Sequence, residues 1–545
     1  MQNNIEAGAT VLVVGAGIMG AGIAQVAAQA GYFVRLFDSR AGAAAQAISK
    51  LGTTLQGLAH KGKLKPAAVT EAMARISAID SLDEAGDVAL VIEAIIENLE
   101  IKRSLFKQLE ACVSDDCIVA TNTSSISVTA LANGMRLPQR LVGMHFFNPV
   151  PLMKLVEVVS GLRTDPAVAQ AIFALSQAWG KVPVHARSTP GFIVNRIARP
   201  YYAETLALLH ERAGQPQVLD ACLRAVGFRL GPCELIDLIG QDTNFAVTQS
   251  VFEANSFDKR YVPSLLQREM VDGGLLGRKS GQGFYRYPAG LPPLEPPALQ
   301  SLEPVQSVVV HGRGALAELW HQRLSLALGR AVARQPDSEW QGISADDAHL
   351  RLSDGRSATE VAVETGLSDV AVFDWHVLPG GSEAAAGAAG AEGAGRAGDA
   401  KEAARVDTAT PSFVLPLAYA LAAQSSKQWH SQAAAWLTAL GFMPLRLADA
   451  PGLVVTRTLA MLINEAADAV QQGVCTEAGA DDAVKLGLNY PAGPFEWLAQ
   501  WGAPQVVTVL EALDAHYRGE RYRVSPWLRQ RAAHRASALQ PRNRN

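Results

Sequence analysis

Apolar residues fall in short, regularly spaced runs along the first third of the chain. Val11-Leu12-Val13-Val14 is uninterrupted and stops at a glycine turn, the pattern of a strand buried on both faces of a parallel sheet. Ala21 to Gly31 follows with helical character, and Phe33-Val34-Arg35-Leu36-Phe37 reads as a second strand. Val88 to Ile92, Ile118 to Ala120 and Leu141 to Met144 repeat the buried-strand pattern, so strands and helices alternate from Thr10 to about Arg187. After Thr189-Pro190-Gly191 the period changes. Phe192 to His210 and Pro216 to Val226 carry helical spacing, and a proline-rich connector, Tyr287 to Pro304, closes that block.

The later chain looks like a faded copy. Val308-Val309-Val310-His311-Gly312-Arg313-Gly314 repeats a strand running into glycines, with Ala317 where a third glycine would stand. Pro451 to Arg457 echoes Pro190 to Arg196, and Gly493-Pro494-Phe495-Glu496 echoes Gly231-Pro232-Cys233-Glu234, which points to a duplicated helical block. Gly380 to Ala404 is mostly Ala, Gly and Glu without an apolar face. Such a segment buries too little to offset its ordering entropy, and disorder is expected.

The glycine turn carries the first chemical signal. Gly15-Ala16-Gly17-Ile18-Met19-Gly20 lies between a strand and a helix, and Asp38 ends the next strand. The first glycine permits the tight turn, the second lets backbone approach a pyrophosphate, and the third lets helix pack on strand. A carboxylate at Asp38 suits ribose hydroxyls and repels a 2′-phosphate, favouring NAD over NADP, with Arg40 as the counter-signal. The expected fold is therefore α/β: a Rossmann-type, doubly wound parallel sheet over 1–187 plus an all-helical domain over 188–287. A linker (288–304), a degenerate Rossmann-like segment (305–447), a second helical domain (448–530) and a flexible tail (531–545) follow.

Composition narrows the classes. At 545 residues and 49% hydrophobic content, several cores are available, and a formal charge of −4 speaks against nucleic acid as partner. Five cysteines without a CxxC pair suit a reducing cytoplasm. No signal peptide, membrane span or metal site is expected.

His145-Phe146-Phe147-Asn148-Pro149-Val150-Pro151 leads to Glu157, twelve positions after the histidine. The prolines forbid one continuous helix, and a turn there brings the carboxylate back to the imidazole. A carboxylate so placed fixes the ring's tautomer and stabilises the imidazolium of a general base. The second half has no such segment, and Thr456 stands where Asn195 stands in the first, so it reads as structural or substrate-enclosing.

Together with Ile92 to Asn98, Asn122-Thr123-Ser124-Ser125, Pro190 to Arg196 and Gly277 to Tyr285, these residues resemble the NAD-dependent L-3-hydroxyacyl-CoA dehydrogenase family. The resemblance implies that a 3-hydroxyacyl-CoA is oxidised with NAD in the cytoplasm, by a monomer or homodimer. It implies His145 as base, Glu157 as its orienting acid, and Ser124 and Asn195 on the reacting oxygen. Glu97, Lys102 and Asn148 would line the cofactor site together with Gly15, Gly17, Ile18, Met19, Gly20 and Asp38. The duplicated layout further resembles members acting on 3-hydroxyadipyl-CoA in phenylacetate breakdown, with Arg196, Arg199 and Arg229 as candidates for the far carboxylate. A 3-hydroxybutyryl-CoA substrate, or a non-catalytic NAD-binding structural role, are the alternatives.

Overall fold

The computed structural model describes residues 5–294, 301–376 and 415–539. The insert expected over 380–404 lies outside the described residues. The chain forms two compact units, 1–197 with 469–488, and 198–468 with 489–545.

The first unit is built on an eight-stranded sheet: β1 (Thr10–Val14), β2 (Phe33–Phe37), β3 (Ile76–Ala78), β4 (Leu90–Glu93), β5 (Ile118–Thr121), β6 (Leu141–Phe146), β7 (Leu155–Ser160) and β8 (Val182–Arg187), in the order 3-2-1-4-5-6-7-8. Strands β1, β4, β5 and β6 are apolar and almost wholly buried, as expected where helices cover both faces. The sheet is parallel except that β7 runs against β6. An all-parallel sheet was the expectation. The departure has a simple cause: eight residues join β6 to β7, too few for a crossover helix but enough for a hairpin.

Helix Glu477–Leu488, from the later repeat, packs on β7, β8 and the turn Val194–Ile197 in this same unit. Gly487 makes that approach possible, because a Cβ there would lie 2.7 Å from Leu155 and 3.2 Å from Val194. The second helical block expected over 448–530 is thus divided between the two units.

The second unit holds a seven-stranded sheet: β9 (Val308–His311), β10 (Ala333–Gln335), β11 (Gly342–Ala345), β12 (Ala348–Leu352), β13 (Val370–Phe373), β14 (Leu415–Leu421) and β15 (Phe442–Arg446), ordered 10-9-11-12-13-14-15. Among the described residues only the pairs 9/10, 12/13 and 14/15 are parallel, so the fold is a reduced variant of the first. Its core gathers Trp320, Phe373, Trp429 and Trp436. The unit also carries helices Arg199–His210 and Pro216–Ala225, where helical spacing was read. The flexible tail expected from 531 is corrected in part, since helix Pro526–Leu539 runs on through that point. Among the described residues, no helix is long and apolar enough to cross a membrane.

Candidate active site

Antiparallel pairing of β6 and β7 sets His145 directly opposite Glu157. Directly opposed residues on one face have Cβ atoms about 4.5–5.5 Å apart, so the two side chains meet without distortion. His145 Nδ1 lies 2.5 Å from Glu157 Oε2. The other carboxylate oxygen, Oε1, accepts from the backbone N–H of Ile193 (2.9 Å) and Val194 (3.0 Å), at the start of the turn Val194–Ile197. Glu157 is fully buried and His145 is 5% exposed. A carboxylate held by two N–H groups on one oxygen and facing the imidazole with the other fixes the ring as the Nδ1–H tautomer, leaving Nε2 as the ring's acceptor. Phe147 and Phe192 pack on the imidazole with centroids 4.5 and 5.9 Å away.

A second constellation forms at the ends of β4 and β5. Glu97 Oε1 accepts from Thr123 Oγ1 at 2.6 Å, from the N–H groups of Ser124 and Ser125 at 2.9 and 3.1 Å, and from Ser125 Oγ at 3.1 Å. Lys102 Nζ bridges Glu97 Oε2 at 3.1 Å and Glu93 Oε1 at 2.6 Å. Burial by itself would raise the Glu97 pKa, but Lys102 and the Thr123 and Ser124 donors outweigh it and hold the carboxyl below its usual range. Lys102 is 1% exposed, so its charge is held by the two glutamates and not by solvent. Asn195 Nδ2 donates to the Ser124 carbonyl at 3.4 Å, so Asn195 and Ser124 stand together.

Sequence reasoning passed over Glu93 and Thr121. Thr121 Oγ1 donates to Glu93 Oε2 at 2.6 Å, completing a buried Thr121–Glu93–Lys102 chain. The signal was present: an acid ends the otherwise apolar run Leu90-Val91-Ile92. Asn122 was quoted only as motif, yet its Oδ1 accepts from Phe146 N–H at 2.8 Å and ties β5 to the histidine strand.

The glycine turn has the geometry a dinucleotide needs. Gly15 has φ +108, and a Cβ there would sit 2.5 Å from the Ala94 oxygen. A Cβ on Gly20 would collide with the Gly15 oxygen at 1.7 Å, whereas one on Gly17 would meet nothing within 4 Å. Open space above Gly17, at the uncapped start of helix Ile18–Gln29, is where phosphates fit. Ile18 is exposed beside it, Met19 packs against the sheet core, and Asn148 is exposed on the β6–β7 hairpin. Asp38 Oδ2 accepts from Ala16 N–H at 2.8 Å. The Arg40 guanidinium beside Asp38 brings its carboxyl down to about 2.

Comparison with known proteins agrees with this geometry. The NAD binding domain of 3-hydroxyacyl-CoA dehydrogenase matches residues 10–189, and the C-terminal domain of that enzyme matches 191–287 and again 452–539. The 3-hydroxyadipyl-CoA dehydrogenase of Escherichia coli K12 is 40% identical over 533 residues, covering 98% of both chains. The chain belongs to the 3-hydroxyacyl-CoA dehydrogenase family. It is an NAD-dependent oxidoreductase of 3-hydroxyacyl-CoA, and the residues around Gly17 and Asp38 suit that cofactor. Human mitochondrial hydroxyacyl-coenzyme A dehydrogenase is 36% identical over 284 residues, 51% of this chain and 90% of its own. A crystal structure described as 3-hydroxybutyryl-CoA dehydrogenase from Escherichia coli superposes with a TM-score of 0.83 and 38% identity, over 98% of this chain and all of that one. A reduced Rossmann-fold domain of 3-hydroxybutyryl-CoA dehydrogenase matches residues 350–406.

Proposed function

We propose that His145 is the general base, Glu157 its positioning acid, and Ser124 and Asn195 the groups that hold the reacting oxygen. The observation that carries this reading is the opposed His145–Glu157 pair, with the carboxylate's second oxygen tied down by Ile193 and Val194. A neutral Nε2 takes the 3-hydroxyl proton, and the resulting imidazolium is balanced across Nδ1 by a carboxylate that does not move. Bound NAD would supply the acceptor for the hydride that leaves C3. The oxidation thus divides into one proton to His145 and one hydride to the cofactor. Ser124 and Asn195 are neutral and bond alcohol or ketone equally well, which suits a reversible reaction. Glu97, Lys102 and Asn148 would line the cofactor site, and Gly15, Gly17, Ile18, Met19, Gly20 and Asp38 would hold the pyrophosphate and adenine-side ribose.

The proposed substrate is (3S)-3-hydroxyadipyl-CoA, supported by the relative named for it that matches this chain end to end. A short-chain substrate, 3-hydroxybutyryl-CoA, is the second reading, favoured by the description of the full-length structural neighbour. Initial rates of NADH formation on the two thioesters decide between them. A kcat/KM higher for the adipyl thioester supports the first reading, and the reverse order replaces it with the second.

A further inference from the structure

The second unit contains a cavity of about 1480 Å³, lined among others by Gly312, Gly314, Arg351, Trp375 and Trp501. Small-molecule sites usually occupy roughly 300–1,000 Å³, so a sizeable ligand fits. Its floor repeats part of the glycine turn of the first sheet: Gly312 has φ +92 beside +108 for Gly15, whereas Gly314 at +92 departs from Gly17 at −71. A Cβ on Gly312 would meet Gln341 at 2.7 Å, much as one on Gly15 would meet Ala94. A Cβ on Gly314, like one on Gly17, would meet nothing within 4 Å. Gly314 opens the fourteen-residue helix Ala315–Leu328 without a side-chain cap. Strand β10 lies parallel to β9 and delivers Asp337 just past its end, as β2 delivers Asp38.

A helix start alone does not make a site, but Arg351 adds an independent sign. Gly342 pairs with both His311 and Arg351, which puts Arg351 level with the C-terminal end of β9, where the glycine turn begins. Arg351 is 9% exposed, and its guanidinium lies 4.3 Å from the centroid of Trp340. Trp340 in turn stacks on His311 at 4.0 Å, which fixes the arginine over the cavity wall. Its neighbour Arg356 is neutralised by Asp354 and Glu364. Among the described residues, no hydrogen bond or ion pair reaches the Arg351 guanidinium. Asp354 and Glu364 act on Arg351 only through space, and a buried guanidinium without a hydrogen-bonded partner gains when an anion joins it.

The cavity keeps only half of a dinucleotide site. Where the first sheet continues from β1 to the parallel strands β4 and β5, the second continues from β9 to the antiparallel hairpin β11–β12. The glycine turn and the acid that follows it belong to the adenosine half, and two of the three glycines and the acid remain, with Ala317 at the third position and Asp337 paired to Arg313. We infer that this cavity is a second nucleotide site, taking an adenosine diphosphate group that is either free or part of CoA or NADH. Its phosphates lie between the start of helix Ala315–Leu328 and Arg351, and its base lies against Trp375 and Trp501. The inference stands apart from the catalytic reading of His145 and Glu157.

Calorimetric titration of ADP into the full-length protein and into Arg351→Met tests it. The wild type should bind one more ADP per chain than the variant, or bind it at least tenfold more tightly, while the variant keeps its kcat and its KM for NAD. Parallel titrations with CoA and NADH identify which carrier of the group binds there. Hydrogen exchange on the wild type gives a readout that needs no variant: saturating ADP should protect residues 312–320 and 340–352. Identical isotherms for wild type and Arg351→Met, no protection of those segments, or inorganic pyrophosphate binding as tightly as ADP would each overturn the proposal.

Discussion

Glu204 and Glu465, 261 positions apart, stand in reciprocal places: Glu204 accepts from Arg521 and Tyr522, and Glu465 accepts from Arg260 and Tyr261. The two Arg–Tyr pairs are also 261 positions apart, so each helical repeat offers its pair to the other's glutamate. The duplication therefore produced a self-complementary contact within one chain, of the kind a symmetric dimer makes between two. Arg457 adds a further bond to Glu204 at 3.1 Å.

The Glu204 carboxylate is fully buried, and truncating one member of a buried ion pair costs about 3–5 kcal/mol because its partners keep their charge. Glu204→Ala should lower stability by about that amount, read by urea denaturation at pH 7. Burial pushes the Glu204 pKa up, but Arg521 and Arg457 pull it further down, so it ends below its ordinary value in the folded state. A depressed folded value means stability that is fully present above the unfolded pKa of about 4.3 and is lost as pH falls through the folded one. The gap between wild type and Glu204→Ala should therefore narrow steadily below that pH.

His145→Gln should lower kcat by about 10²–10⁴-fold while leaving NAD affinity nearly unchanged, as loss of a general base predicts. Glu157→Gln is the sharper test of positioning. The amide keeps an oxygen for Ile193 and Val194 but turns an N–H donor toward His145 Nδ1, which favours the opposite tautomer and removes the balancing charge. Its kcat should fall while KM for the acyl-CoA stays close to wild type, and pre-steady-state hydride transfer should show the whole effect. An unchanged kcat in Glu157→Gln would separate the pair from the chemistry.

The strand–glycine–helix start was legible because each feature is local: apolar runs, glycines at fixed spacing, and an acid at the next strand's end. The His145–Glu157 pairing was legible as a turn, and the eight residues between the strands allow only a hairpin, but the register that sets the two side chains opposite each other was not legible, because it is fixed by pairing with the neighbouring strand. The burial of Lys102 was hidden for a related reason. Its burial depends on Glu93 and Glu97 arriving from β4 and the loop after it, a tertiary fact invisible in helical spacing. The assignment of 469–488 to the first unit was equally hidden, since it rests on Gly487 meeting Leu155 across more than three hundred residues of chain.

Lys102→Met provides a direct measure of that buried network. It would leave Glu93 and Glu97 without their cation, with a cost of about 3–5 kcal/mol, whereas an exposed lysine would cost within about 0.5 kcal/mol. Thermal unfolding, together with NADH fluorescence titration, should show both lower stability and weaker cofactor binding. A change confined to 0.5 kcal/mol would return Lys102 to the class of surface charges.

Of the three arginines considered for a second substrate carboxylate, Arg196 and Arg199 are buried, with Arg196 bonded to Gln472 and Arg199 to Thr248. Arg229 is exposed. Arg229→Ala tests the remaining candidate: a role in reading the far carboxylate predicts a loss of about tenfold in kcat/KM on 3-hydroxyadipyl-CoA, the worth of roughly 1.4 kcal/mol, with 3-hydroxybutyryl-CoA unaffected. Equal losses on both thioesters would remove Arg229 from substrate selection.

Asp38, proposed above as the ribose acceptor, makes two contacts that bear on cofactor preference. Its carboxylate takes the Ala16 N–H, which shapes the glycine turn, and it engages the Arg40 side chain at 3.0 Å. In the wild type the arginine's charge is thus spent on Asp38, and a 2′-phosphate would face an acid held well ionised. Asp38→Ala removes the repulsion and frees Arg40 in one step. The variant should bind NAD more weakly and gain on NADP, so that the ratio of kcat/KM for NAD over NADP falls by at least tenfold. In Asp38→Ala combined with Arg40→Ala, the gain on NADP should disappear while the loss on NAD remains, because the first comes from the released guanidinium and the second from the missing ribose acceptor. A preference unchanged in both variants would move the ribose away from Asp38.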